Sequence, residues 1–310
     1  MTKKIIVEIA EGLGNQLFMY AHAYSMAKKL NYELYIDNKS GYSFKKNTLR
    51  KHQKYMLDSF NIAQNYAPNE FIYDKLHKKI KKKLLILIDK FTNKQVFFRE
   101  KSIKKNNLKI VKNYTNLSEI NFSNNIYVQG NFENSEYFNE YKKELSNFFI
   151  TKNELINHKN SIVEQLSSNN SISIHIRRNR FSDQIGLTDT VANKEKSEFF
   201  TNQIIDYINR SINFIEKKVQ NPKYFIWTND YEDFGQLSNR LIIKKYNLIN
   251  ENVINDFDLF QYAKHFIVGP SSFHWWGAWL NKNSNKICIR PSNLNPSNNE
   301  NFWPKDWISI

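Results

Sequence analysis

The sequence predicts an α/β protein built on open parallel sheets, because short apolar segments repeatedly end in polar clusters. One such segment lies within Ser171–Phe181, and two more lie at Tyr224–Trp227 and His265–Val268. A fourth, at Lys4–Ile9, is followed by a glycine-bearing turn and a helical pattern. Ligands of open α/β sheets lie beyond the carboxyl ends of parallel strands, so the polar clusters are expected to meet in one crevice.

The first of the three segments ends in a pair of arginines. Isoleucines alternate with polar residues in Ser171–Phe181, which predicts a strand with His175 and Arg177 on one face and Arg178 at its end. The planar guanidinium fork suits carboxylate and phosphate oxygens. Structural ion pairs with acidic side chains are also common, so the arginines alone leave a structural role open.

The other two segments supply the remaining parts of a predicted anion site. Tyr224–Trp227 ends at a Thr-Asn-Asp cluster that contains Asp230, and His265–Val268 ends shortly before Ser271 and Ser272. A tryptophan-rich helix is predicted directly behind these two hydroxyls, and the start of a helix offers free N–H groups and a positive dipole end. A cationic strand end together with a helix start predicts a site for phosphate or diphosphate.

The length of 310 residues is sufficient for two domains, which we place at residues 1–155 and 156–310. No run of 18 or more apolar residues could span a bilayer, and no signal-peptide pattern precedes the first strand. The single cysteine, Cys288, cannot form an internal disulfide. We therefore expect a cytoplasmic protein in a reducing compartment.

The chain is strongly basic, with 45 Lys and Arg against 30 Asp and Glu. Such a balance directs attention to nucleic acids, membranes and acidic ligands. Most lysines lie among asparagines and isoleucines, which a genome-wide compositional bias explains equally well. Zinc-ligand pairs, an RNP-type strand and a basic heptad are all missing from the sequence, so no nucleic-acid partner is expected. A protein that binds anionic polymers stays as an alternative, although it leaves the tryptophan-rich helix unexplained.

The turn at Glu11–Gln16 joins the first strand to a helix predicted at Leu17–Leu30. Its glycines allow close approach of the backbone to a ligand. The turn lacks the third glycine of the G-x-G-x-x-G fingerprint, and only Asp37, after the predicted strand Glu33–Ile36, could bind a ribose. A nicotinamide oxidoreductase therefore stays as a second alternative.

The segment Asp74–Phe91 predicts an amphipathic helix. Its apolar residues recur at helical spacing and lysines flank them, a composition typical of helices on anionic membrane surfaces. An ordinary surface helix whose apolar stripe packs on the domain explains the pattern equally well.

The pair Asp256 and Asp258 has the D-x-D spacing with which some enzymes hold a divalent ion against a diphosphate. A helix is predicted directly behind it, at Leu259–Lys264. A helix-capping role for one aspartate is therefore the simpler explanation, and metal binding stays open.

Four motifs of the sequence resemble those of the α-1,2-fucosyltransferase family, glycosyltransferase family 11. They are GLGNQLF, HIRR, FIWTND and KHFIVGPSSFHWWGAWLN, which occur in the family's order across nearly the whole chain. The last motif is the longest and most specific. The resemblance implies a GT-B-like fold of two facing Rossmann-like domains, with acceptor binding in residues 1–155 and nucleotide-sugar binding in residues 156–310.

The resemblance also implies an activity: inverting, metal-independent transfer of L-fucose from GDP-fucose to the 2-hydroxyl of a galactose-containing acceptor. The acceptor would be an oligosaccharide or lipid-linked unit of a surface polysaccharide, such as an O-antigen. No cofactor is implied, and peripheral contact with the inner membrane is compatible with such an acceptor. Transfer from another nucleotide sugar stays as an alternative.

Site residues follow from the resemblance position by position. It places Arg177 on the donor's β-phosphate as the catalytic cation, with His175 and Arg178 in the guanosine-diphosphate site. The other implied substrate-binding residues are Asn15, Gln16, Asp230, Ser271, Ser272 and Phe273.

One motif departs from the family pattern H-x-R-R-G-D-Y. This chain has HIRRNRF, so Arg180 stands where the family has an acidic residue. If that acid assists deprotonation of the acceptor hydroxyl, another carboxylate such as Asp183 must replace it, or the reaction is dissociative with little base assistance. A different acceptor or donor sugar would also account for the change.

Overall fold

A computed structural model of the chain describes residues 2–43, 54–92, 94–100, 102–105, 109–112, 117, 120–152, 160–168, 170–178, 191–294, 299 and 301–310. Two compact units are present. The first comprises Met1–Ile150 with Ser297–Phe302, and the second comprises Thr151–Pro296 with Trp303–Ile310. The sequence had placed a single division between residues 155 and 156.

The first unit is built on a parallel sheet in the order β2-β1-β6-β3. Its elements are β1 (Lys4–Glu8), α1 (Leu13–Leu30), β2 (Glu33–Asp37), α2 (Leu76–Asp89), β3 (Gln95–Arg99), β4 (Ser102–Lys105), β5 (Lys109–Lys112), β6 (Phe122–Gln129) and α3 (Lys142–Phe148). Strands β4 and β5 form a separate antiparallel pair.

The second unit is built on a larger parallel sheet in the order β12-β11-β10-β7-β8-β9. Its elements are α4 (Asn160–Leu166), β7 (Ser171–Ile176), α5 (Val191–Ile215), β8 (Lys223–Thr228), α6 (Phe234–Ser238), β9 (Asn247–Leu248), α7 (Val253–Phe260), β10 (His265–Ile267), α8 (Ser272–Leu280), β11 (Cys288–Arg290) and β12 (Ile308–Ser309).

The predicted α/β class is confirmed, with a Rossmann-like parallel sheet in each of the two units. Parallel strands cannot be joined by tight hairpins and need crossover connections, which helices usually provide. In both units helices connect successive parallel strands, as α1 does between β1 and β2 and α5 does between β7 and β8. The alternation of strand and helix that the sequence predicted is therefore the architecture of each unit.

Strand β7 lies at the centre of the second sheet and is buried along its whole length. Its isoleucines, with Ile204 and Ile208 of α5, belong to one apolar core cluster. On the other face, Ser173 lies 2.9 Å from the imidazole of His274 in α8. Burial on both faces is typical of parallel sheets, and it explains why even the polar positions of this strand avoid water.

Helix α8 is the buried helix predicted behind Ser271 and Ser272. It packs tightly on α7, since a Cβ atom added at Gly277 would lie 2.5 Å from the Cβ of Phe260. The ring of Trp275 contacts the rings of Trp276 and Trp279 on the same helix, and all three side chains are buried. The buried remainder of α8 therefore holds the first turn of this helix in place.

Two predicted helix starts are wrong by several residues. Helix α1 begins at Leu13 rather than at Leu17, because the N–H groups of Asn15 and Gln16 already bond to the carbonyl of Gly12. Helix α7 spans Val253–Phe260, so only the first two residues of the helix predicted at Leu259–Lys264 are helical. For α1 the predicted start followed the apolar periodicity, which begins later than the backbone hydrogen bonds.

The amphipathic segment forms α2, as predicted, but its apolar stripe does not pack on the domain. Leu85 and Ile86 contact the core of the first unit, whereas Ile80, Leu84 and Leu87 are more than half exposed. The expectation that the stripe packs on the domain is therefore wrong. Among the residues described, no helix combines the length and the apolar character that crossing a bilayer requires.

Candidate functional site

Three predicted polar clusters lie at the same edge of the second sheet. Strands β10, β7 and β8 are hydrogen-bonded neighbours and run parallel, so their carboxyl ends are adjacent. Arg177 follows β7, Asn229 follows β8, and Ser271 follows β10. The strand-end argument from sequence correctly predicted this juxtaposition within the second unit.

The ends of β7 and β8 are tied together by Arg178. Its backbone N–H donates to Asn229 Oδ1 at 2.8 Å, and Asn229 Nδ2 donates to the Arg178 carbonyl at 3.1 Å. The guanidinium Nη1 of Arg178 donates to Asp230 Oδ2 at 2.8 Å. Asp230, predicted to contact the nucleotide, therefore holds an arginine of the site.

The guanidinium of Arg178 retains capacity for a further acceptor. Its Nε is buried, and no hydrogen-bond partner for this atom occurs within the described part of the chain. An unpaired buried donor is costly, and an anion would satisfy it. Arg177, the next residue back, is half-buried at the same strand end. Together the two side chains can present cationic donors to a phosphate.

His175 is buried beside Phe260 and the imidazole of His274. Burial, reinforced by the nearby charge of Arg177, lowers the pKa of His175 to about 3. Burial also lowers the pKa of His274 well below its ordinary value. Both rings are thus neutral at pH 7, so His175 shapes the strand end and adds no charge to the site.

Gly269 permits β10 to approach β7 at this edge. A Cβ atom at Gly269 would lie 2.3 Å from the backbone carbonyl oxygen of His175. No side chain larger than hydrogen fits without moving one of the two strand ends. The glycine therefore sets how closely the Ser271 turn lies to the arginine pair.

The start of α8 presents backbone donors. Ser271 is the N-cap residue in extended conformation, but its hydroxyl makes no capping hydrogen bond. In the described part of the structure, the N–H groups of Ser272 and Phe273 are consequently available to an anion. The ring of Phe273 packs 5.1 Å from Phe260, which fixes the first turn against α7.

The predicted residues of the first unit lie in the first turn of α1. Asn15 is half-buried, and its Nδ2 donates to the carboxylate of Glu11. Gln16 is fully buried, and its amide bonds to the backbone of Glu11, Lys54 and Met56. Gln16 therefore holds the turn in place, whereas Asn15 lies nearer the solvent.

A polar network lies at the carboxyl edge of the first sheet. The hydroxyl of Tyr127 lies 2.6 Å from Glu8 Oε2 and 2.7 Å from Asp37 Oδ2, and Gln129 Nε2 donates to Glu8 Oε1. Asp37 is fully buried and also accepts hydrogen bonds from Ser40. Its carboxylate is thus engaged within the unit, which disfavours the ribose-binding role of the oxidoreductase alternative.

The two carboxylates of the D-x-D pair bond to different side chains. Asp256 Oδ1 accepts a hydrogen bond from Trp227 Nε1 at 3.1 Å, and Asp258 Oδ2 accepts one from Thr151 at 3.1 Å. The predicted capping role is wrong, because Asn252 caps α7 and both aspartates lie inside the helix. Across the described ranges, no three His, Cys, Asp or Glu side chains cluster to hold a metal.

The predicted alternative base, Asp183, lies outside the described residues, as does Arg180. The structure gives specific contacts to three residues for which the sequence predicted no individual role: Asn229 and Gly269, which belong to the predicted polar clusters, and His274. A weak signal existed for each. An amide directly after a strand, a glycine after a strand and a histidine in an apolar run are visible in the sequence, but none of them specifies a partner.

Comparison with known proteins gives the family. The profile described as Glycosyl transferase family 11 matches residues 4–310. An Alpha-1,2-colitosyltransferase of Escherichia coli is 27% identical over 99% of this chain and 98% of that protein. The O-antigen biosynthesis glycosyltransferase WbnK of Escherichia coli is 26% identical over 97% of this chain and 99% of that protein.

Among solved structures, the NodZ α-1,6-fucosyltransferase from Bradyrhizobium, in a crystal soaked with GDP-fucose, is similar with a TM-score of 0.47. The sequences are 14% identical, and the alignment covers 90% of this chain and 93% of that one. The family match extends over both units and all four motifs. The chain is therefore a glycosyltransferase and belongs to glycosyltransferase family 11.

Proposed function

We propose that the chain transfers L-fucose from GDP-fucose to the 2-hydroxyl of a galactose-containing acceptor, with inversion and without a metal. The observation that carries the proposal is the juxtaposition of Arg177 and Arg178 with the start of α8 at one sheet edge. This arrangement suits a diphosphate, which needs several donors directed at its oxygens.

The chemistry explains why such donors matter. When the bond between the anomeric carbon and the diphosphate breaks, the sugar becomes oxocarbenium-like and the leaving group gains negative charge. Fixed donors stabilise this charge without reorganising, and one such donor contributes roughly 3–4 kcal/mol in comparable sites. Arg177 is the catalytic cation in this proposal, and the N–H groups of Ser272 and Phe273 assist it.

The acceptor side belongs to the first unit in this proposal. Asn15, in the first turn of α1, is a proposed substrate-binding residue of this unit. The acceptor is an oligosaccharide or lipid-linked unit of a surface polysaccharide, a proposal supported by the O-antigen biosynthesis relative. A cytoplasmic location completes the proposal, since Cys288 is a buried free thiol suited to a reducing compartment.

A second donor has specific support. One relative is named for transfer of colitose, which is the 3-deoxy analogue of L-fucose. The two sugars differ by a single hydroxyl, and a site built to hydrogen-bond a hydroxyl rejects the analogue that lacks it much more strongly than an apolar pocket does. A comparison of kcat/KM for GDP-fucose and GDP-colitose decides between the two donors.

Calorimetry tests the donor class first, with GDP, GDP-fucose, UDP and NAD titrated separately into the purified chain in the presence of a chelator. We expect binding of GDP and GDP-fucose only. A galactose-terminated oligosaccharide is then added, and NMR of the product reports the linkage and the anomeric configuration. Binding of UDP or NAD in place of GDP, or a product without an α-1,2 linkage, would contradict the proposal.

A further inference from the structure

One side of α2 exposes an apolar stripe to solvent. Leu76, Ile80, Leu84, Leu87 and Ile88 are each between 53% and 74% exposed. Their spacing of three and four residues places them on one side of the helix. Soluble proteins rarely expose contiguous apolar surface of this kind, and where they do it usually marks an interaction site.

The opposite side of α2 is fixed to the first unit. Leu85 and Ile86 pack against the apolar cluster that contains Phe97. Lys82 Nζ forms an ion pair of 2.5 Å with Glu8 Oε2, and both side chains are largely buried. Rotating the stripe inward would break this ion pair, so the stripe faces outward in the folded unit.

Hydrogen bonds near both ends of the helix add to this orientation. Lys79 Nζ donates to the carbonyl of Ser43 at 3.0 Å. The carboxylate of Asp89 accepts from the N–H groups of Val96 at 2.7 Å and Phe97 at 3.1 Å. Asp89 is the only acidic residue between Lys75 and Thr92, and the first unit's own backbone occupies it. The outward side of the helix is therefore free of carboxylates.

Exposed lysines border the stripe. Residues of a helix are about 100° apart around its axis, so Lys81 lies on one border of the stripe and Lys83 on the other. Lys90, also exposed, follows the helix end. The stripe and its borders thus combine apolar side chains with positive charge on a single outward surface.

We propose that this outward side of α2 is a docking surface for a bilayer that contains anionic phospholipids. The apolar stripe would enter the boundary between headgroups and acyl chains, and Lys81, Lys83 and Lys90 would lie at the level of the phosphates. The 14-residue helix is about 21 Å long and would lie in the plane of the membrane. The proposal does not depend on which sugar is transferred.

A second copy of the chain fits this surface less well. If two such helices met through their stripes, the lysine borders would face each other, and like charges disfavour that contact. A bilayer with anionic headgroups offers apolar acyl chains to the stripe and negatively charged phosphates to the lysines that border it. Charge complementarity therefore favours the lipid surface.

Sedimentation with vesicles tests the proposal. The 310-residue chain is mixed with vesicles of phosphatidylcholine alone or of phosphatidylcholine with phosphatidylglycerol. We expect binding to the anionic vesicles, weakened by salt, because surface charge attraction is screened. The triple variant Ile80→Ser, Leu84→Ser, Leu87→Ser and the triple variant Lys81→Gln, Lys83→Gln, Lys90→Gln should each reduce the partition coefficient by about tenfold or more.

Matched controls change the same residue types elsewhere. The double variant Phe199→Ser, Ile242→Ser removes exposed apolar side chains of the second unit, and Lys217→Gln, Lys218→Gln, Lys245→Gln removes exposed charges there. Both should bind vesicles like the unaltered chain. Circular dichroism and Tm verify that every variant is folded.

Three outcomes would overturn the proposal: equal binding to neutral and anionic vesicles, no binding to either, or undiminished binding by the folded serine variant. Light scattering distinguishes the competing occupant. A dimer that dissociates in the serine variant, without vesicle binding by the unaltered chain, would assign the surface to a second copy.

Discussion

The side-chain amide of Asn229 forms two hydrogen bonds with the backbone of Arg178, at 2.8 and 3.1 Å. They continue the pairing of β7 and β8 beyond its last registered pair, Ile176 with Thr228. Asp230 binds the guanidinium of the same arginine. Backbone and side chain of Arg178 are thus both fixed before a ligand arrives, which is the condition for strong electrostatic stabilisation.

Replacing Asn229 with Ala should therefore lower kcat of transfer by about tenfold while Tm changes little. Loss of the two hydrogen bonds lets the arginine dipeptide move, whereas the exposed position of Asn229 limits the effect on stability. Asn202→Ala, which removes another exposed amide bonded to an arginine, is the matched control. Unchanged kcat in Asn229→Ala would show that the bonds do not position the arginines.

Arg177→Ala should abolish transfer, with a loss on the order of 10²–10³-fold or more in kcat and an intact fold. The physical reason is the loss of a fixed charge where the leaving diphosphate gains its own. Activity and circular dichroism are measured together. Arg210→Ala serves as control, because that residue forms an exposed helix ion pair with Asp206. Near-normal activity of a folded Arg177→Ala protein would show that Arg177 is not the catalytic cation.

Gly269→Ala should weaken GDP binding and destabilise the second unit by about 1–3 kcal/mol. The added methyl group would overlap the carbonyl oxygen of His175 and force the strand ends apart. Gly235→Ala is the control, since a Cβ atom there meets no atom within 4 Å and the position is helical. Calorimetry and thermal unfolding distinguish the two variants. If Gly269→Ala binds GDP normally, the close approach does not set the site geometry.

Transfer should persist in excess chelator at an unchanged rate. Asp256 and Asp258 bond to different partners, Trp227 and Thr151, so neither is expected to hold a divalent ion against the diphosphate. Initial rates with and without chelator test this expectation. A rate that falls with chelator and returns with Mg²⁺ or Mn²⁺ would contradict metal independence.

His22 should make the first unit sensitive to acid. Its ring stacks 3.6 Å from the ring of Phe132, and burial lowers its pKa to about 3. The native state binds the proton less readily than the unfolded chain does. The contribution of the neutral ring to the free energy of unfolding is therefore complete above the unfolded pKa of about 6.5. This contribution declines as pH falls from there towards 3, by about 1.4 kcal/mol per pH unit.

The variant His22→Phe removes this titration. Between pH 7.5 and 5.5, we expect it to lose about 1.4 kcal/mol less unfolding free energy than the unaltered chain does. Urea unfolding at both pH values measures the difference. Identical pH dependence of the two proteins would mean that the buried ring does not control acid stability.

Much of the site could be predicted because its parts are local in sequence. The arginine pair directly follows its strand, and Ser271 and Ser272 directly precede their helix. The alternation of strands and helices along the sequence also predicted that the strand ends lie close together, since the carboxyl ends of parallel strands lie at one edge of a sheet. Partners at long range could not be predicted. The bonds of Asn229 to Arg178 and the contact of Gly269 with His175 join residues far apart in the chain.

The sequence by itself determined the α/β class, the four family motifs and the position of the cationic strand end, because these depend on residue type and short spacing. Only the tertiary structure decided which polar groups neutralise one another. It paired Asp230 with Arg178 and buried Gln16 beneath its turn. It also directed the apolar stripe of α2 outward, because Lys82 and Leu85 occupy the inward side. Helical periodicity defines two sides of a helix, and packing against the rest of the unit chooses which one is buried.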